Sequence, residues 1–522
     1  MIKNDPQAID ANQLGSRVLE TDIAIIGSGA GGGVSAEIFA KQGFRVLLLE
    51  EGPYLTARDF KMQEKEAYPL LYQESAARKT KDKAINILQG RSVGGSTTVN
   101  WTSSFRTPDK TLAHWQKHYG LADLSPDKMA PWFEKMEQRL NIAPWATPAN
   151  ANNDAISRGA KKLGWSARTI ARNVKGCANL GYCGMGCLLN AKQSMLVSTI
   201  PAAKKLGAKV LYQARVERLL IEADKVVGCE VYPVNHASKR THNAAITIKA
   251  KHTILSAGSI GSPAVLLRSK VPDPFNRVGK RTFLHPVVAS AAFMPHQVNG
   301  FYGAPQSIYS DEFLWPKANK MGFKIEAAPL HPSLVSTVLT PFSEQHFDLF
   351  KDFSKIQGSL ALLRDGFSED SQGGQVWLDK FGYPKLDYPL NDYFWTGARS
   401  ALLAMAELQF AAGAKSVYPS HMDAKKYPSW HQANKAIKQF TMKELKTMVF
   451  SAHLMGGNAM GADDKLSVVD EQGKFRWLDG LHIFDGSIFP TSIGANPQLS
   501  IYGLVAKLAT NLSTQVSKRA SE

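Results

Sequence analysis

Apolar residues in this chain follow two rhythms. In the first, short unbroken apolar runs alternate with stretches of helical spacing. Asp22–Ile26 (DIAII) and Arg45–Leu49 (RVLLL) are such runs, and Val34–Gln42 between them has helical spacing. Runs of this kind suit parallel strands buried on both faces. Thr247–Ala257 and Leu481–Asp485 repeat the run later in the chain, and Gly258 opens a helix through Leu267 after the first of them. Leu124–Leu140 and Ser194–Leu206 read as helices, with Pro126 near a first turn. Lys209–Ala214, Val216–Glu222 and Val226–Val231 read as strands of a small meander.

The second rhythm runs from Val288 to about Phe440. Strand-like Met321–Pro329 and Gln375–Asp379 are joined by long irregular pieces, and Ala401–Gly413 is helical. The first rhythm resumes towards the C-terminus. The pattern predicts an α/β, Rossmann-like nucleotide-binding domain of discontinuous segments, 1–120, 190–287 and 445–522. A substrate domain of α+β type with an antiparallel sheet would take 121–189 and 288–444. Ala143–Asn153 reads as a linker, and the polar stretch Pro53–Asn86 as an excursion or lid.

Composition narrows this only slightly. The chain has 522 residues, 44% hydrophobic and 20% charged, which suits a globular enzyme of two domains. No apolar run reaches the length of a membrane-spanning helix, and the N-terminus lacks the apolar core of a secretory signal. The expected location is the cytoplasm or the periphery of the inner membrane. The net charge of +17 favours anionic surfaces, including lipid. Lys and Arg are scattered, without a basic tail or aromatic-interleaved stripe, which speaks against nucleic acid.

Candidate chemistry begins at Gly27-Ser28-Gly29-Ala30-Gly31-Gly32, a G-x-G-x-x-G turn between strand and helix, with Glu50 closing the next strand. Such a turn brings backbone N–H groups to a pyrophosphate, and the acid accepts from a ribose hydroxyl. The motif by itself does not separate FAD from NAD. Gly90–Trp101 is rich in glycine and hydroxyls and can lie against a planar ligand or phosphate. His453 precedes Gly456-Gly457, and Gly494-Ala495-Asn496-Pro497 opens a long final helix. In that helix Asn496 fits the N-cap and Pro497 the first helical position. His285, in Leu284-His285-Pro286, reads as capping a strand end. Four cysteines in so long a chain form no disulfide framework, but Cys177, Cys183 and Cys187 share one glycine-rich loop. Three thiolates are too few for a closed four-cysteine zinc site.

Together the Gly27–Glu50 unit, Gly90–Asn100, Gly258–Leu267, His453–Gly457 and Asp485–Pro497, in this order, resemble the glucose–methanol–choline (GMC) family of flavin oxidoreductases. Val99-Asn100-Trp101, Ser451-Ala452-His453 and Pro490–Gln498 look most like long-chain alcohol oxidases. The His453 and Asn496-Pro497 combination is also similar to the GMC cholesterol oxidases. The resemblance implies FAD, with Gly27, Gly29, Gly32 and Glu50 on its ADP half and the backbone of Val216 at adenine. It implies Gly94, Ser96 and Asn100 along pyrophosphate and flavin, Asp485 and Gly486 on the ribityl–phosphate part, and Pro497 beside the flavin. Some relatives have a flavin-linked histidine where Val99 stands, so FAD is expected to be non-covalent. The run Gly456-Gly457-Asn458-Ala459-Met460-Gly461 departs from the family's Gly-Thr-Cys-Arg-Met-Gly.

The implied reaction is oxidation of an alcohol to an aldehyde or ketone. Histidine suits the removal of a hydroxyl proton, so His453 is expected as base and Asn496 as the group orienting the hydroxyl. Phe301, Tyr302, Phe313, Trp315, Phe342 and Phe350, without grouped carboxylates, suggest an apolar alcohol, long-chain or steroid-like. The cysteine loop resembles both the segment holding a [3Fe-4S] cluster in membrane sugar dehydrogenases and a metal-free loop of alcohol oxidases. With a cluster, electrons would pass to a quinone or cytochrome partner; without one, to O2 or a diffusible acceptor.

Overall fold

Ile23, Ala24 and Ile25 are fully buried in the strand Arg17–Ile26, and Val46–Leu49 is buried along its whole length. A strand with apolar residues on both faces belongs in the middle of a covered parallel sheet. The structure, a computed structural model, describes residues 5–317, 319–339, 341 and 343–521. Its first sheet runs Ala8–Asp10, Lys209–Tyr212, Val46–Leu49, Arg17–Ile26, Ile246–Leu255, Lys225–Pro233, Ala214–Glu222, with Leu481–Ile483 also on Ile246–Leu255. The pairs from Ala8–Asp10 to Ile246–Leu255 are parallel, and the last two are antiparallel. Lys209–Tyr212 therefore lies beside Val46–Leu49 in the nucleotide-type sheet and not in the meander expected for it. Its partner is 162 residues away (Leu48 opposite Val210), beyond the reach of a local pattern. Ala30–Lys41 and Gln498–Ser521 pack together over this sheet, and Pro126–Arg139 packs on the latter.

The second large sheet runs Ile85–Ile87, Val449–Ser451, Val287–Phe293, Ile356–Leu363, Phe323–Ala327, Ile308–Ser310, Arg168–Thr169, with Ser416–Pro419 beside Val287–Phe293. Asp392–Ala411 covers it, burying Ala398, Ala401, Leu402, Met405 and Leu408 completely. Ile85–Ile87 comes from the predicted lid, and Ala151–Leu163, capped by Asn150, begins inside the predicted linker. The expected helix at Ser194–Leu206 is confined to Thr199–Lys205. A four-stranded sheet, Pro384–Asp387, Gly374–Leu378, Lys280–Leu284, Leu454–Gly456, sets Leu284 opposite Leu454. No helix among the described residues is long and apolar enough to cross a membrane.

Candidate active site

The two glycine loops meet backbone to backbone. Gly95 has φ +54°, and a Cβ on it would lie 2.7 Å from the Cα of Gly29. Gly29 heads the helix Ala30–Lys41 without a side-chain cap, so N–H groups at that end are open to a ligand. These loops border a cavity of about 740 Å³. Gly27, Gly29, Glu50, Ser96, Asn100, Val216, His453, Asp485, Gly486, Asn496 and Pro497 all line it. Two expected residues do not. Gly32 lies behind the turn, where a Cβ would overlap the Gly27 carbonyl, and Gly94 shapes the second loop with φ +90°. Gly94 donates its N–H to Ser28 Oγ at 3.0 Å, tying the loops together.

Glu50 accepts from Ser28 N at 3.1 Å and Ser28 Oγ at 2.5 Å through one oxygen, and from Gly52 N at 2.8 Å through the other. Burial pushes its carboxyl up, against the pull of these donors. Asp485 accepts from Gly258 N and Ser262 Oγ on one oxygen and from Ser487 N on the other. Its carboxylate therefore fastens Gly258 and Ser487 to the cavity wall. Arg215, His236, Ser238 and Tyr383 line the Val216 end, and no motif marked them.

At the other end, the Leu284–Leu454 pairing brings His285 beside His453. His285 N donates to the His453 carbonyl at 3.3 Å. The rings meet edge to face with Nδ1 to Nδ1 at 3.1 Å. His285 Nε2 accepts from Gly494 N at 3.1 Å. The expectation that His285 caps a strand end is thus corrected: it is 1% exposed and braces His453. Burial lowers the basicity of both rings, with nearby Lys324 adding to it; His453 falls to about 3 and His285 well below its usual value.

Asn496 does not cap the last helix through its side chain. Its Nδ2 donates to Glu326 Oε2 at 3.2 Å, and its Oδ1 is buried without a partner among the described residues. Glu326, on Phe323–Ala327, is wholly buried, and burial raises its carboxyl. Two positions along the same strand face, Lys324 lies over the Phe105 ring at 3.4 Å. Asn100 Nδ2 donates to Gln498 Oε1 at 2.7 Å, and Gln498 in turn donates to the Ser103 carbonyl at 2.9 Å.

The cysteine loop adjoins this wall. Lys192, 2% exposed, donates to the carbonyls of Thr98 at 2.8 Å, Asn100 at 2.7 Å and Cys183 at 2.7 Å. Cys177, Cys183 and Cys187 do not line the cavity, and no group of three or more His, Cys, Asp or Glu among the described residues could hold a metal ion. A [3Fe-4S] cluster, one of the two readings of this loop, has no support here. The aromatic residues read as pocket material are also elsewhere. Phe301 and Phe350 stack on Phe353, Phe313 on Phe323, and Trp315 against Phe367. Tyr302 is 54% exposed, and Phe342 lies outside the described residues. Val99, Trp101, Leu454 and Ile501 give the cavity its apolar lining instead.

Sequence models of the GMC oxidoreductase family match residues 68–287 and 370–504. An uncharacterized GMC-type oxidoreductase of Mycobacterium tuberculosis is 29% identical over 502 residues, covering 96% of this chain and 77% of that protein. The long-chain-alcohol oxidase FAO4A of Arabidopsis thaliana is 24% identical over 532 residues, covering 96% and 69%. Among solved structures, a variant formate oxidase of Aspergillus oryzae RIB40, solved for the effect of its substitution on FAD modification, superposes with a TM-score of 0.72. That match covers 97% of this chain and 100% of the other at 15% identity, and so bears on fold. The bare-backbone cradle, the free helix N-terminus and the acid at Glu50 fit FAD in this cavity.

Proposed function

The chain belongs to the GMC oxidoreductase family and is a FAD-dependent oxidoreductase, and from that premise we propose that it oxidises an apolar alcohol, long-chain or alicyclic, to an aldehyde or ketone, with O2 as electron acceptor. The observation that carries this reading is the pair His453 and Asn496 on one cavity wall, each with polar capacity left open to it. Bound FAD supplies the hydride acceptor. The protein's part is to bind and orient. Gly29, Gly95 and the open N–H groups of the Ala30 helix would hold the pyrophosphate, and Glu50 the ribose. Val99 has no atom able to form a covalent link of the histidyl kind, so the cofactor is held without a bond to the chain. His453 and Asn496 engage the hydroxyl, and the apolar lining by Val99, Trp101, Leu454 and Ile501 takes the carbon chain.

An apolar substrate draws its binding from burial, about 0.8 kcal/mol per methylene. For straight-chain primary alcohols, kcat/KM should therefore rise up to about fourfold per added carbon until the lining is filled. The similarity to a long-chain-alcohol oxidase supports that direction. A clear preference for glucose or choline in the same assay would overturn the substrate class. The positive charge of the chain, +17, suits work near anionic lipid, where such alcohols partition.

A further inference from the structure

We propose that the hairpin tip Phe381–Tyr383 is a clamp on the adenine of FAD, and that its aromatic rings set how slowly the cofactor leaves. The strand Ala214–Glu222 starts against the ribose acceptor: Ala214 N donates to the Glu50 carbonyl at 2.9 Å. With the pyrophosphate on the Gly29 turn and the ribose on Glu50, the base lies beyond Ala214, beside Val216. The cavity continues there. Phe381, Gly382 and Tyr383 also line it, as the turn between Gly374–Leu378 and Pro384–Asp387 of the four-stranded sheet. One side chain holds this turn to the Val216 strand. Arg268 donates to the carbonyls of Glu217 at 2.7 Å, Val216 at 3.1 Å and Gly382 at 3.4 Å. Within the turn, Asp379 Oδ1 accepts from Phe381 N at 2.9 Å and Tyr383 N at 3.0 Å. The tip is therefore fixed by the chain's own hydrogen bonds.

The exposure of the rings points to a ligand. Phe381 is 73% exposed and Tyr383 43% exposed, although both border the cavity. Lys380 lies over the Phe381 ring at 5.0 Å, and the Arg215 guanidinium over the Tyr383 ring at 5.3 Å. Each ring thus has a cation on one face and keeps the other for a planar partner. Arg215 adds a donor: its Nε is buried without a partner among the described residues. Adenine answers both features, with flat faces for the rings and ring nitrogens that accept a hydrogen bond. The consequence is retention. A cofactor held without a bond to the chain stays only as long as its contacts hold it, and the adenine end lies at the exposed rings. The clamp acts on the cofactor and not on the alcohol, so it goes beyond the alcohol-oxidising reading of the inner end.

The test is FAD release from the holoenzyme, followed as the rise in flavin fluorescence after dilution. Phe381→Ser and Tyr383→Ser remove a ring each from an exposed turn whose backbone bonds they leave in place. Stacking of a base on an aromatic ring is worth about fivefold or more in affinity, so each variant should lose FAD at least about fivefold faster than wild type. Phe381→Tyr keeps a ring and should stay within about twofold of wild type. In a second arm, FMN, which has no adenine, is exchanged into each holoenzyme and its release is followed in the same way. The serine variants should release FMN at the wild-type rate. FAD release within about twofold of wild type in the double serine variant overturns the proposal. So does an equal acceleration of FAD and FMN, which would mean that the hairpin supports the site as a whole and not the base. No alcohol enters either readout, so a failure of the alcohol reading leaves both results standing.

Discussion

The Asn496 amide donates to Glu326 across 3.2 Å, joining the loop before the last helix to a strand of the second sheet. That bond decides which end of the amide faces the cavity. Glu326→Gln keeps an acceptor oxygen at the same place, and its kcat/KM should stay within about threefold of wild type. Glu326→Met removes the acceptor, frees the amide to turn, and should cost about tenfold. Steady-state kinetics on both variants check this; a Met variant equal to wild type would mean that Asn496 is oriented by something else.

FAD should leave the protein on acid precipitation, because Val99 stands where a linking histidine would be. The yellow colour is expected in the supernatant. Colour retained by the denatured chain would show a covalent link.

Stability should fall on the acid side through buried histidines. Burial holds His453 and His482 at about 3 and His114 at about 4, all below the usual 6.5. A group with a depressed folded pKa binds its proton more readily when unfolded. Between about pH 6.5 and about pH 4 the unfolded chain therefore takes up protons that the folded chain refuses, and stability declines as pH drops. Thermal denaturation across that window should show the decline, and it should be shallower in His482→Leu. A slope unchanged in that variant would contradict the assignment for His482.

Lys192 ties three carbonyls of two loops, so Lys192→Met takes this donor from one buried carbonyl, Thr98, and from two half-buried ones, Asn100 and Cys183. At about 1–3 kcal/mol for a buried unsatisfied group, the loss of stability should be at least about 1 kcal/mol. Asn100, one of the three, lines the cavity, so FAD content after dialysis should fall as well. Denaturant titration and flavin absorbance measure the two. A variant as stable as wild type, with full FAD, would show that Lys192 is dispensable to the wall.

Some of this was legible in the chain and some was not, for physical reasons. The Asp22–Glu50 unit announced itself because a strand buried on both faces must be apolar throughout and a close backbone approach must be glycine. His453 and Asn496 stood out by their setting among glycines and prolines. His285 was misread because its partner lies 168 residues away, and only the pairing of Leu284 with Leu454 brings the rings together. Glu326 sat unnoticed in MGFKIEAAP, a stretch whose pattern says strand but not that its acid would be sealed inside. The aromatic residues between 301 and 350 were taken for a pocket because composition reports hydrophobicity and not direction. Phe301, Phe313 and Phe350 stack on other phenylalanines, and the cavity takes its apolar wall from Val99, Trp101, Leu454 and Ile501.

The central claim is that this chain takes a hydride from an alcohol onto bound FAD. Anaerobic mixing of the oxidised holoenzyme with a long-chain primary alcohol, followed by flavin absorbance, tests it most directly. The account predicts bleaching of the flavin band, with recovery on admitting oxygen and carbonyl product equal to the FAD reduced. A flavin band unmoved by alcohols of every chain length, and by alicyclic alcohols, would contradict it.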